Sequence, residues 1–213
     1  MADEYKEAAL IEGMVPLLMK SGKPQDYQRI RELRARIGKR IFDKSQCALR
    51  MSDMAEMNKT LQMFRNIHIK LGDCNDLLLN SLLKIIEGDE DVTQVEFAHI
   101  VVSESSSTYA ALLRCITSLK NLRRLAIMNA PLSQSFFAAI YVSNIRELEL
   151  GQKTFSTTIS PSSYHNLCLF LQGYPKLTKL NMNFVRDGDP GLTKIFAALK
   201  KNPNLRLDVR SIF

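Results

Sequence analysis

The chain has few of the features that announce chemistry, and each absence narrows what it can do. No stretch approaches the run of roughly 18 apolar residues needed to cross a bilayer; the longest candidate, Phe136 to Val142, is far too short. Its first residues include Asp3, Glu4, Glu7 and Glu12, whereas a secretory signal opens on basic residues and a transit peptide is poor in acids. Four cysteines occur (Cys47, Cys74, Cys115 and Cys168), widely spaced and without a C-x-x-C pair. They read as reduced, mostly buried small hydrophobes in a cytoplasmic protein. There is no phosphate-binding glycine loop, no G-x-S-x-G and no H-E-x-x-H, so no cofactor and no enzyme activity are expected.

What is present is ordinary in bulk and uneven in placement. The 213 residues are 46% hydrophobic and 24% charged, as in a soluble globular protein with ample apolar material for a core. The formal charge is +7. Residues 1–90 carry 15 Lys/Arg against 14 Asp/Glu, while 91–213 carry 14 against 8. The surplus belongs to the second part.

The periodicity also divides near residue 90. Between Asp26 and Phe42, Tyr27, Ile30, Leu33, Ile37 and Ile41 recur at helical spacing, which places them on one face. Between Ser52 and Leu71 the stripe is Met54, Met57, Leu61, Phe64, Ile67 and Leu71. Ser52 fits an N-cap and Gly72 a helix stop. An opening helix, about Asp3 to Met19, bends near Pro16, and a fourth spans about Asp76 to Glu87. Together these predict an all-α helical cap or bundle over residues 1–90. Seven of the nine methionines lie there; Met51, Met54, Met57 and Met63 suit a core, or an adaptable docking stripe.

After Gly88-Asp89-Glu90-Asp91 short alternating stretches appear: VTQVEF from Val92, LRRLAI from Leu122, IRELEL from Ile145, LTKLNM from Leu177 and LRLDV from Leu205. The first four share apolar residues at positions one, four and six. The second apolar position, Val95, Leu125, Leu148, Leu180 and Leu207, recurs at intervals of 30, 23, 32 and 27 residues. Helix-like segments fall between: Ser107–Lys120, Leu132–Ser143, Pro161–Gln172 and Asp189–Lys201. Strands alternating with helices of this size imply a parallel sheet.

This L-x-x-L-x-L spacing, with a full helix per unit, resembles the ribonuclease-inhibitor-like class of leucine-rich repeats over residues 91–213. The resemblance implies an α/β fold: a short leucine-rich-repeat arc of parallel strands and outer helices, preceded by the all-α cap. It also implies an asparagine shortly after each strand. Asn129 and Asn183 fall near that place, whereas Gln152 and Lys153 occupy it in the third unit. The rival is an ordinary doubly wound sheet. That fold uses a glycine-rich turn after a strand, which is missing, and its strands are more continuously apolar.

In the repeat arrangement the non-leucine strand positions face one open, concave surface. The third positions are Gln94, Arg124, Glu147, Lys179 and Arg206; the fifth are Glu96, Ala126, Glu149, Asn181 and Asp208. Neighbouring parallel strands lie about 4.8 Å apart, so Arg124 is expected beside Glu147, and Glu147 beside Lys179. Three basic and four acidic residues make this face nearly neutral, unlike the continuous basic stripe a nucleic acid requires. The expected function is a non-catalytic protein-binding scaffold or adaptor, with Arg124, Met128, Glu147, Glu149, Lys179 and Asn181 as contact residues. The alternative is RNA or ribonucleoprotein binding through the basic helix 29–40, by Arg29, Arg36 and Arg40; a solvated helix face is the commoner origin of such charges, and Glu32 and Asp43 dilute the field.

Three weaker constellations read as structural. His165 and Cys168 share a helix face but supply only two of the four ligands of a structural zinc site. Cys74 and His68 are near in sequence only. Asp187-Gly-Asp-Pro-Gly191 lacks the later ligands of a calcium loop and suits a turn, with Asp189 as N-cap and Pro190 opening the next helix.

Overall fold

The computed structural model describes residues 41–46, 50–63, 66–73, 75–100, 102–151, 160–185 and 190–211, with scattered positions between 13 and 29. Seven strands form one parallel sheet in sequence order: β1 Ile41–Lys44, β2 Ile67–Asp73, β3 Val92–His99, β4 Arg124–Met128, β5 Glu147–Gly151, β6 Lys179–Val185 and β7 Arg206–Ser211. Between them run α1 Met51–Met63, α2 Asp76–Ile86, α3 Ser107–Ser118, α4 Gln134–Val142, α5 Pro161–Gly173 and α6 Pro190–Leu199. Each helix packs on the next in the same order. The strands, too, neighbour only their sequence neighbours.

The apolar alternation explains which face is covered. Phe42, Ile69, Val95, Leu125, Leu148 and Leu180 stand side by side in register, with Leu207 at the end. The first six are buried. They share one core with Leu79 and Leu83 of α2, Leu112 and Ile116 of α3, Ile140 of α4, Leu167 and Leu171 of α5, and Ile195 of α6. Burying a Leu or Ile side chain contributes about 1.5–3 kcal/mol, so one residue per strand, repeated across the sheet, supplies a continuous driving force. The opposite rows, which include Gln94, Glu96, Arg124, Glu147, Glu149, Lys179 and Asn181, are only half-buried. Helices therefore cover one face, and polar side chains occupy the other.

The marker row extends two strands beyond the expected repeats. Phe42, Ile69 and Val95 follow one another at intervals of 27 and 26 residues. This corrects the all-α reading of residues 1–90, because β1 and β2 lie there and the sheet runs unbroken across residue 90. Ile67 and Leu71, which extended the stripe of the second helix, belong to β2, and α1 stops at Met63. Ile41 and Phe42 are strand residues as well. The remainder of the two helices expected over 3–19 and 26–42 falls largely outside the described residues. Of the methionines, Met54 and Met57 are core and Met51 is exposed.

Helix starts follow hydroxyl and amide chemistry. Asn75, Ser106, Ser133 and Ser160 each accept a hydrogen bond from a backbone N–H in the first turn of α2, α3, α4 and α5, satisfying a donor that has no intrahelical partner. Ser52 is not the cap of α1, which begins a residue earlier; there the Asp53 carboxylate accepts from the Arg50 N–H instead. Gly88, at φ 76°, ends the turn after α2 in the left-handed region that glycine enters without strain.

Candidate functional site

The open sheet face gathers the sequence-predicted residues into one surface. Arg124, Glu147, Lys179 and Arg206 form one row in register, and Glu96, Ala126, Glu149, Asn181 and Asp208 the next. The expected neighbour relations, Arg124 beside Glu147 and Glu147 beside Lys179, hold for the backbone. The ion pairs of the Arg124 side chain run elsewhere. Its Nη2 lies 3.2 Å from Glu96 Oε1 on β3 and 3.1 Å from Glu149 Oε2 on β5, bridging three strands diagonally. Diagonal neighbours on a sheet lie within reach of a long side chain, and one guanidinium can serve two carboxylates.

Glu149 is the hub of this network. Besides Arg124, its Oε2 accepts from Asn181 Nδ2 at 3.5 Å and its Oε1 from Asn183 Nδ2 at 3.0 Å. Arg124 and Glu149 therefore hold the surface in shape. Glu147, Lys179 and Arg206 are not in any ion pair among the described residues, and they form an adjacent acid–base–base row. The Oδ1 atoms of Asn181 and Asn183 are buried without a hydrogen-bond partner among the described residues. Met128 lies across Gly151, its register neighbour; a Cβ at Gly151 would fall on the Met128 sulfur, with Asn183 Cβ 3.2 Å away on the other side.

Sequence reasoning missed the β2 end of this surface. His68 Nε2 stands 2.9 Å from Glu96 Oε1, and Lys70 Nζ 3.9 Å from Glu96 Oε2. His68 is buried even though it lies in the polar row beside Gln94. The signal was available in the alternation Ile67-His68-Ile69-Lys70-Leu71, whose period of two competed with a helical spacing through the same apolar residues.

A second ladder joins the units at the start of the strands. Asn121 Nδ2 donates to the Glu90 carbonyl, Asn144 Nδ2 to the Lys120 carbonyl and Asn202 Nδ2 to the Tyr174 carbonyl. Lys176 Nζ donates to the Ser143 carbonyl in the same way. At the other end of the strands Asn129 takes φ 62° and its N–H donates to the Gly151 carbonyl, while the Asn183 amide is spent on Glu149. Gln152 and Lys153 lie outside the described residues. Buried tyrosine hydroxyls add further ties: Tyr109 to the Pro131 carbonyl and Ser133, and Tyr174 to the Ile145 carbonyl.

The remaining candidates separate. Arg29 is exposed, and Arg36 and Arg40 lie outside the described residues, as do Cys47, Cys74, Asp187 and Asp189. On α5, His165 is exposed whereas Cys168 is buried. Among the described residues no group of three His, Cys, Asp or Glu side chains could hold a metal ion, and no helix is long and apolar enough to cross a membrane. Burial pushes the Cys168 thiol above its ordinary value, against the opposing charge of Lys194, and pushes Cys115 up to about 12. Both thiols stay protonated at neutral pH.

No protein-family model matches the chain, and no curated protein matches it.

Proposed function

We propose that this chain is a short arc of leucine-rich-repeat type that acts as a non-catalytic scaffold, binding a protein partner across its open sheet face. The repeat reading is supported by the marker row: Val95, Leu125, Leu148, Leu180 and Leu207 were picked by spacing alone and stand side by side in register. A parallel sheet needs both faces covered unless the exposed one is polar, and here the polar face is organised rather than merely solvated. The observation that carries the reading is the contrast within it. Arg124 is neutralised between Glu96 and Glu149, while Glu147, Lys179 and Arg206 project beside them without an ion pair among the described residues.

That row offers one acid and two bases to a partner, a pattern suited to a mixed-charge protein surface. A polyphosphate backbone wants an uninterrupted basic track, and Glu96, Glu147, Glu149 and Asp208 interrupt it. The test is affinity purification with mass spectrometry on the intact chain and on a variant carrying Glu147→Lys and Lys179→Glu. The reading expects at least one partner, insensitive to nuclease, to be lost from a variant that retains its thermal midpoint. Unchanged recovery of all partners would remove the open face from the function.

A further inference from the structure

We infer that the chain pairs with a second copy of itself, β7 against β7 in antiparallel, joining the two seven-stranded sheets into one. β7 ends the sheet, and no strand borders its outer side among the described residues. An uncovered edge of this kind is a template for another strand. The Arg206 N–H donates to the Thr178 carbonyl at 2.9 Å, so Arg206 and, by alternation, Asp208 turn their backbone groups toward β6. Those of Leu207 and Val209 turn outward. So does the Leu205 carbonyl, which opposes the Arg206 N–H across their trans peptide.

The last unit is also open on its apolar side. Leu207 stands in the marker row but is only half-buried, whereas the six residues before it are buried. Leu199, Leu205 and Val209 share that partial exposure while packing on the core. On α6, a Cβ at Gly191 would meet the Tyr164 ring of α5, and just past its end Lys201 reaches Gln172 of α5. At 3.6 residues per turn Phe196 lies on the opposite flank, and it is 50% exposed.

The side-chain pattern of the edge is complementary to itself. A two-fold axis through Leu207 sets Leu207 against Leu207, Leu205 against Val209 and Arg206 against Asp208 of the second copy. Residues opposite one another on antiparallel strands share a sheet face. The apolar pairs therefore meet on the helical side, where Phe196 of each copy flanks the seam, and the Arg–Asp pairs meet on the polar side. The backbone agrees with this register. Leu207 and its counterpart exchange N–H and C=O, and each Val209 N–H meets the other Leu205 carbonyl. Arg206 and Asp208 then occupy the non-hydrogen-bonded positions, where side chains come closest. Neither has an ion pair among the described residues to give up. An axis through Asp208 would oppose two carboxylates and present backbone groups already turned to β6; an axis through Val209 would set Leu207 against Ser211. The interface is isologous and closes at two copies. It places both open sheet faces on one side, whatever those faces bind.

Analytical ultracentrifugation of the purified chain over a micromolar-to-millimolar series tests this without a partner protein, so its outcome is separate from that of the open-face reading. The mass should reach two copies and stop there. Arg206→Glu and Asp208→Arg each set like charges across the seam, and each should weaken the dimer at least about tenfold while circular dichroism keeps its native form. Mixed in equal amounts, the two variants should associate with one another, because every acid at the seam again meets a base. The chain carrying both changes should dimerise as the parent does. A single-copy mass throughout, growth past two copies, a dimer indifferent to both single changes, or a mixture that stays monomeric overturns the proposal.

Discussion

Arg124 reaches past Glu147, its backbone neighbour on β5, to pair with Glu149 two residues further on, at 3.1 Å. The same nitrogen holds Glu96 on β3. One guanidinium thus ties three strands on the polar side of the sheet, opposite the helices among the described residues, which converts a row of surface charges into a fixed template.

Removing that tie leaves two partly buried carboxylates facing one another. Arg124→Ala should lower stability by about 1.5–3 kcal/mol, the range for hydrogen bonds to charged groups. A double-mutant cycle with Glu149→Gln should return a coupling of about 1 kcal/mol. Urea unfolding of the four proteins measures both. Strict additivity would show that the pair contributes no coupling.

Gly151 is held by volume rather than by its backbone angle. Gly151→Ala places a methyl on the Met128 sulfur, an overpacking that costs about 1–3 kcal/mol. Shortening the obstacle with Met128→Ala should recover much of the loss in the double variant. A Gly151→Ala protein as stable as the parent would contradict the close approach of β4, β5 and β6 side chains on this face.

These residues show where the sequence was legible. A row of Leu and Val at the second apolar position, spaced 23 to 32 residues apart, identified β3 to β7 and their register. The helices between them ended within two residues of expectation. The first two strands were not legible, because β1 is four residues long and β2 contains Ile67 and Leu71 at helical spacing from Leu61 and Phe64. Face membership of Arg124 and Glu149 followed from period two. Their diagonal pairing did not, because it depends on side-chain length and on competition from Asn181 and Asn183 for the same carboxylate.

The first strand is fastened by charge. Lys44 Nζ on β1 lies 2.9 Å from Glu56 and 3.3 Å from Asp53, both on α1. Hydrogen bonds to Glu56 and Asp53 raise the Lys44 pKa above 10.5. Burial of Asp53 is outweighed by the Arg50 N–H and Lys44, which hold its carboxyl below 3.8. The depressed Asp53 contributes stability above pH 3.8 that is lost as pH falls through its native value; the raised Lys44 contributes stability below pH 10.5 that is lost as pH climbs through its native value. Lys44→Met should therefore narrow the difference in urea midpoint between neutral and alkaline pH. An alkaline limb identical to that of the parent would sink the clasp.

Cys115 sits in the core of α3 with its thiol pushed up to about 12 by burial. Thiol labelling of the native chain at neutral pH should be unaffected by Cys115→Ser in its fast phase, and should lose one equivalent only after unfolding. Loss of a fast equivalent in the native variant would place Cys115 at the surface.

The open face itself is tested most directly by lysine and carboxyl footprinting of the chain with and without a purified partner recovered by affinity purification. Binding across the sheet should suppress labelling at Lys179 and Glu147 and leave the outer lysines Lys120 and Lys200 unchanged. Protection confined to lysines of the helical layer, with Lys179 and Glu147 labelled as in the free chain, would contradict the account.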